Sequence, residues 1–322
     1  MRINQIKNTQ KFNGLYNNKL LLSGLETISD HSASFVAGVS FLSAVGLRPL
    51  AISLTPNVKK ENKKILSADS IASGVVKLLV SLGVSLPIEK AVKKISEKPD
   101  KFLKKESIEK LSKKDLDFIN QMTKMGSGLL SAIPKSLLGI ALIPFIFDLF
   151  PKDKKEENLL KKHTFDNFRG QVQFKGNKTA AMVSDIINST KIQEFAIKNS
   201  KNDKNIARNM SVATDILLTI TGALGTKFSK KIEDKNKKSL IINKILSTAI
   251  SIFAGCSIDK LVQKAGEGFV ENFKKVNFDN PKLNKYLQGL NVARPTIIFA
   301  LLYYGIIPVL TTFITDKANK NE

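Results

Sequence analysis

The sequence predicts an all-α chain: an internally duplicated helical bundle, two halves of three long apolar helices each plus amphipathic connector helices, embedded in a membrane. Three observations predict it. Residues 71–94 lie over 241–264 at a constant offset of 170, with identities at Ile71/Ile241, Ser81/Ser251, Ile88/Ile258, Lys90/Lys260, Val92/Val262 and Lys94/Lys264. A repeat unit of about half the chain is a duplication and not a solenoid, and it divides the sequence into 1–161 and 162–322. Six apolar segments, 32–54, 70–88, 125–147, 209–226, 239–258 and 295–315, each approach the ~20 residues that cross ~30 Å of hydrocarbon. These segments also lack the charged opposite face of a surface helix.

Taken in order, the first segment follows Asp30-His31, a helix start, and carries a stripe of small residues, Ala33, Ala37, Ser40 and Ala44. Ser81 and Ser85 repeat that spacing in the second segment, and Ser247, Ser251 and Gly255 in its partner. Small faces let helices approach closely where lipid offers no hydrophobic drive, and they serve soluble packing too. Ser112 and Asp115 form a capping-box pattern that opens an amphipathic helix over 107–124, and 179–198 reads as another, with Met182, Ile186, Ile187 and Ile197 on one side. The charged stretch 151–170 reads as the linker between the halves, with a short extended piece at Gln171–Lys175. Residues 295–315 contain no charge and are expected to be the most lipid-buried helix.

Charges inside apolar helices mark where function could lie, because each must be paired, hydrated or used. The candidates are Lys77, Asp215, Lys244, Arg48 and Arg294. Lys77 stands in mid-segment where its repeat counterpart is Ser247, and Asp215 is a carboxylate within the same class of segment. Lys135 alone interrupts the third segment. Arg48-Pro49 and Arg294-Pro295 look alike and suit interfacial anchors. Pro134, Pro144, Pro295 and Pro308 are the helix-break candidates; breaks at corresponding places in two halves point to a transporter's midplane site, and equally to packing kinks.

The net charge of +23 suits anionic lipid surfaces. It does not suit specific nucleic-acid recognition, because only five of the basic residues are arginine and few aromatics interleave the lysines. One cysteine, Cys256, excludes an intrachain disulfide and a cysteine-based zinc site. His31 and His163 are the only histidines, and no catalytic or phosphate-binding motif occurs, so neither an enzyme nor a cofactor or metal is expected. No secretory signal is expected, since the first 18 residues have no apolar core. The expected setting is the cytoplasmic membrane of a prokaryote, with a transporter or channel-like role; the alternatives are a non-transporting membrane scaffold, a lipid-associated protein, or a soluble, cytoplasmic all-α binding protein. Orientation is not legible, because the regions between the six segments sum to +10 on one side and +11 on the other.

Overall fold

A computed structural model describes residues 14–150 and 176–320. The described residues are helical with no strand. The predicted linker, His163 and the piece at Gln171–Lys175 lie outside them. The helices are α1 (Lys19–Asp30), α2 (Ser32–Leu42), α3 (Arg48–Leu54), α4 (Lys60–Glu97), α5 (Lys113–Leu130), α6 (Ala132–Asp148), α7 (Gly176–Asn188), α8 (Thr190–Asn199), α9 (Ile206–Phe228), α10 (Asp234–Ala265), α11 (Glu267–Val276), α12 (Leu283–Ala300) and α13 (Ile307–Lys320).

Local chemistry sets the joints. Asn18 accepts from the backbone N–H of Leu20 and Leu21 and so caps α1. The Ser112–Asp115 capping box forms and starts α5. It also makes the helix predicted over 107–124 start later, at Lys113, and run on to Leu130, and leaves Lys105–Lys110 as a separate short helix. Ser189 likewise divides the predicted 179–198 helix into α7 and α8. Between α2 and α3 the chain is π-helical over Ser43–Leu47, and between α12 and α13 over Leu301–Ile306. Pro49 and Pro308 follow these wide turns, and the carbonyls their rings would strike, on Val45 and Tyr304, lie inside them. Pro134 stands three residues after the α5–α6 joint at Ser131. Pro144 and Pro295, expected as breaks, instead sit inside continuous helices. Each forfeits one backbone hydrogen bond, and the packing on both sides of it keeps the helix going.

Two long antiparallel sets pack together. In the first, α4 runs against α2–α3, with Ala44 accepting from Ser70 Oγ at 2.8 Å, and against α5–α6, with Ser85 and Ser127 hydroxyls 2.7 Å apart. In the second, α10 runs against α12–α13: Arg294 Nε meets Asp259 at 2.7 Å, and Asn243 Nδ2 donates to Thr311 at 3.2 Å. α9 lies along α10 and along α5–α6 in the latter's direction, with Gly128 beside Thr214 and Gly225 beside Ile140. α12–α13 lies along α2–α3, with Gly305 against Leu47.

α4 and α10 meet at the centre, where Ser239 donates to Asn62 and Lys244 pairs with Asp69 at 3.1 Å. Residue numbers rise together along this contact, so the two helices are parallel. Three crossings per half would make this pair antiparallel, and an even count, with one segment per half not crossing, would make it parallel; the contacts give the parallel pair. At 38 residues α4 is about 57 Å long, and its last turns leave the bundle. There Ile88, Val92 and Ile95 form a second core with Phe118, Ile119, Val183 and Ile187. The apolar side of α7 therefore faces α4, and not a lipid surface. α6 ends beside the beginning of α4 and α7 packs on its end, so the described residues flanking 151–175 stand at opposite ends of the bundle.

Five helical stretches are long and apolar enough to cross a membrane: Ser32–Leu54, Lys60–Glu97, Lys113–Asp148, Asn236–Ala265 and Leu283–Lys317. That is one fewer than the sequence segments suggest. α9 is helical throughout, but Asp215, four hydroxyls and two glycines between Ser211 and Gly225 dilute its apolar content.

Candidate functional site

Where the long helices converge they enclose a cavity of about 110 Å³ with a smaller one of about 50 Å³ beside it. The small residues on α2 explain the space: Ala33, Ala37 and Ser40 line the larger cavity, and Ser81 and Ser85 face it from α4. Lys77, Lys135, Asp215, Tyr303 and Tyr304 border both. The π-helical stretch after α12 carries the two tyrosines.

Four of the five charges singled out in the sequence meet here. Lys77 Nζ donates to the Tyr304 hydroxyl at 3.3 Å and lies 5.9 Å from the centroids of both tyrosine rings. Asp215 faces the same cavity, but no ion pair within 4 Å joins it to Lys77 among the described residues. Lys244 reaches Asp69 on α4. Arg48, buried, donates through Nη2 to Asn243 at 2.7 Å and lays its guanidinium over Tyr303 at 4.8 Å. Asn243, Ser247 and Thr311 complete that polar patch, with Ser247 and Thr311 hydroxyls 3.1 Å apart. Lys77 therefore contacts tyrosines where its counterpart Ser247 contacts Arg48 and Thr311.

Arg294 belongs elsewhere. It shares the fully buried carboxylate of Asp259 with Arg208, at 2.7 and 3.0 Å. A second buried carboxylate, Glu89, accepts from the backbone N–H of Ala33 at 2.9 Å and of Ser34 at 3.0 Å, and from Ser34 Oγ at 2.7 Å, capping α2. Lys124 Nζ donates to the Ser29 carbonyl at 2.5 Å nearby. Arg48 and Arg294, alike in sequence, so play different parts: one beside the cavity, the other in a carboxylate clamp.

Sequence reading passed over Asp69, Glu89, Lys124, Arg208 and Asp259. The pair Glu89/Asp259 had a signal, since both are acidic at the repeat offset and are flanked by the identities Ile88/Ile258 and Lys90/Lys260. Cys256 is half-buried and unpaired, and among the described residues no cluster of metal-ligating side chains occurs. The chain matches no family model, no curated protein and no solved structure, so geometry alone carries the functional argument.

Proposed function

We propose that the chain is a polytopic helical membrane protein made of two like halves, with a transporter or channel-like role for which the central cavity is the solute site. The observation that carries this reading is the inverted distribution of polarity. Buried charges gather inside, with Arg48 at 4%, Lys135 at 6% and Asp69 at 8% exposure, while Leu42, Leu54, Leu79 and Phe253 point outward at 62 to 80%. Only 28 to 44% of the five long apolar windows is covered by the rest of the protein, so most of that apolar surface needs a partner such as lipid.

The duplication draws support from element bounds. At the offset of 170, Lys113 and Leu283 begin α5 and α12, and Ser131 and Leu301 begin the joints that follow; Glu89 and Lys124 occupy the positions that answer Asp259 and Arg294, with Glu89 capping α2 and Lys124 bonded to the Ser29 carbonyl in place of an ion pair. Element bounds that fall at the spacing of the sequence identities support the duplication reading.

A specific observation favours a second reading, a lipid-associated or soluble all-α binding protein. The end of α6 and α7 stand at opposite ends of the bundle, and the sequence between them is densely charged; carrying that charge across hydrocarbon is costly.

Substituting outward-facing leucines separates the two. Leu301 is 55% exposed while its neighbour Ala300 is buried. In lipid, Leu301→Arg and Leu79→Arg each cost about 2.5–3.5 kcal/mol at a helix centre and reduce membrane yield. In water the same substitutions leave folding unchanged within about 0.5 kcal/mol. The membrane reading expects the wild type to pellet through a carbonate wash and the arginine variants to lose yield. A detergent-free soluble monomer that tolerates both variants overturns it.

A further inference from the structure

The charges around the cavity do not cancel. Lys244 is neutralised by Asp69 at 3.1 Å, and Lys77 and Asp215 share the cavity wall with opposite signs. That leaves Arg48 and Lys135, which both line the smaller cavity. Arg48 has only neutral partners, the Asn243 and Ser247 oxygens and the Tyr303 ring, and its buried Nε has no acceptor. Lys135 has no hydrogen-bond or ion-pair partner among the described residues. Two buried cations without counter-charge are costly wherever the bundle sits, and evolution of a purely structural core removes such groups at little loss. The cavity that both line, about 50 Å³, holds several water-sized groups, which is the size of an anion of a few heavy atoms.

We propose that this cavity binds a small monovalent oxyanion, with Lys135 and the Arg48 guanidinium as its two cationic contacts. The proposal rests on the reading of the cavity as the functional site. Arg48 is pre-set for the task, since the Tyr303 ring and the Asn243 oxygen fix the plane of its guanidinium. Lys77, in the same lining, donates to Tyr304, and Asp215 in that lining keeps the local excess at two charges rather than three. An anion with two or three oxygens would meet both cations at once; a cation would meet two like charges and be repelled.

The test is thermal unfolding of the purified full chain at fixed ionic strength, titrating sodium acetate and sodium nitrate against sodium gluconate, whose anion is too large for the cavity. Saturable rises of a few degrees with acetate or nitrate, and none with gluconate, are expected from binding to the folded state alone. Acetate acting without nitrate assigns a carboxylate ligand, and nitrate acting without acetate an inorganic one. Lys135→Met should raise the melting temperature of the anion-free protein, since an unpaired charge is removed, and should abolish the response; Lys282→Met, at an exposed lysine, should leave the response intact. Equal curves in all three salts, or a full response in Lys135→Met, overturns the proposal. If Lys135→Met does not fold, Lys135→Arg must retain the response, and its loss there overturns the proposal equally. The titration runs in detergent or in plain buffer, so a positive result with a water-soluble protein sinks the membrane reading and keeps the anion site, and a negative one with a carbonate-resistant protein does the reverse.

Discussion

Asp259 holds two arginines from different helices, and that makes it the most exacting single residue in the bundle. With its carboxylate fully buried between Arg208 on α9 and Arg294 on α12, Asp259→Asn leaves buried Arg208 and part-buried Arg294 without a counter-charge. Breaking a buried pair by removing one partner costs about 3–5 kcal/mol, and a melting-temperature loss in this variant well beyond that of Lys285→Met, whose half-exposed ammonium pairs with Asp30, is the expected outcome. A comparable loss in both would mean that the clamp is no stronger than a surface pair. The same logic orders the two intra-helical lysines. Lys244 sits 3.1 Å from Asp69, whereas Lys77 has tyrosine hydroxyl and ring contacts and only a distant carboxylate. Lys244→Leu therefore orphans a buried carboxylate and is the costlier change. Sequence spacing alone points to Lys77 instead, because its mid-segment position is visible there, while the partner of Lys244 is a residue 175 positions away that only the fold brings near.

At the scale of elements, the glycines record where helices touch. A Cβ on Gly289 would collide with the backbone of Leu25, where α1 crosses α12 beside the Ser29–Gln288 hydrogen bond of 3.0 Å. Backbone cannot move aside as a side chain can. Gly289→Ala should therefore cost on the order of 1–3 kcal/mol as overpacking does, and Gly83→Ala, in open space on α4, should gain about 0.5–1 kcal/mol from helix propensity. Unfolding midpoints moving in the same direction for both would contradict the α1–α12 contact. Much of this level is readable from sequence: the apolar runs, the Ser112 cap and the small-residue stripe of α2 become the helices, joint and cavity wall that their chemistry requires. The proline breaks are less readable. Pro134 and Pro308 mark joints, but Pro144 and Pro295 do not, because whether a helix survives a lost hydrogen bond depends on packing from neighbours distant in sequence. α9 reads in sequence as an apolar segment, 209–226, yet it is not among the five long apolar stretches, since Ser211, Thr214, Asp215 and Thr219, which line the cavities, lower its mean hydropathy.

For the whole molecule the decisive relation is direction. The contacts between α4 and α10 run in parallel, so the antiparallel sets built around them share one polarity along the bundle axis. Lys60 and Lys230 are exposed equivalents at the repeat offset, and Lys113 is exposed at the opposite end, where α5 begins. With Cys256 changed to Ser, single cysteines at these three positions report topology in intact vesicles. A parallel bundle that crosses the membrane exposes Lys60→Cys and Lys230→Cys on one side and Lys113→Cys on the other. That result obliges 151–175, with its dense charge, to connect the two sides, and a protease cut within that stretch should then leave both halves associated through the α4–α10 and α9–α6 contacts. Labelling of Lys60→Cys and Lys230→Cys from opposite faces would require the inverted arrangement and would contradict the Lys244–Asp69 pair. Labelling of all three from outside places the bundle beside the membrane, where the charged connection costs nothing and the exposed leucines must be covered by a lipid surface or a partner instead.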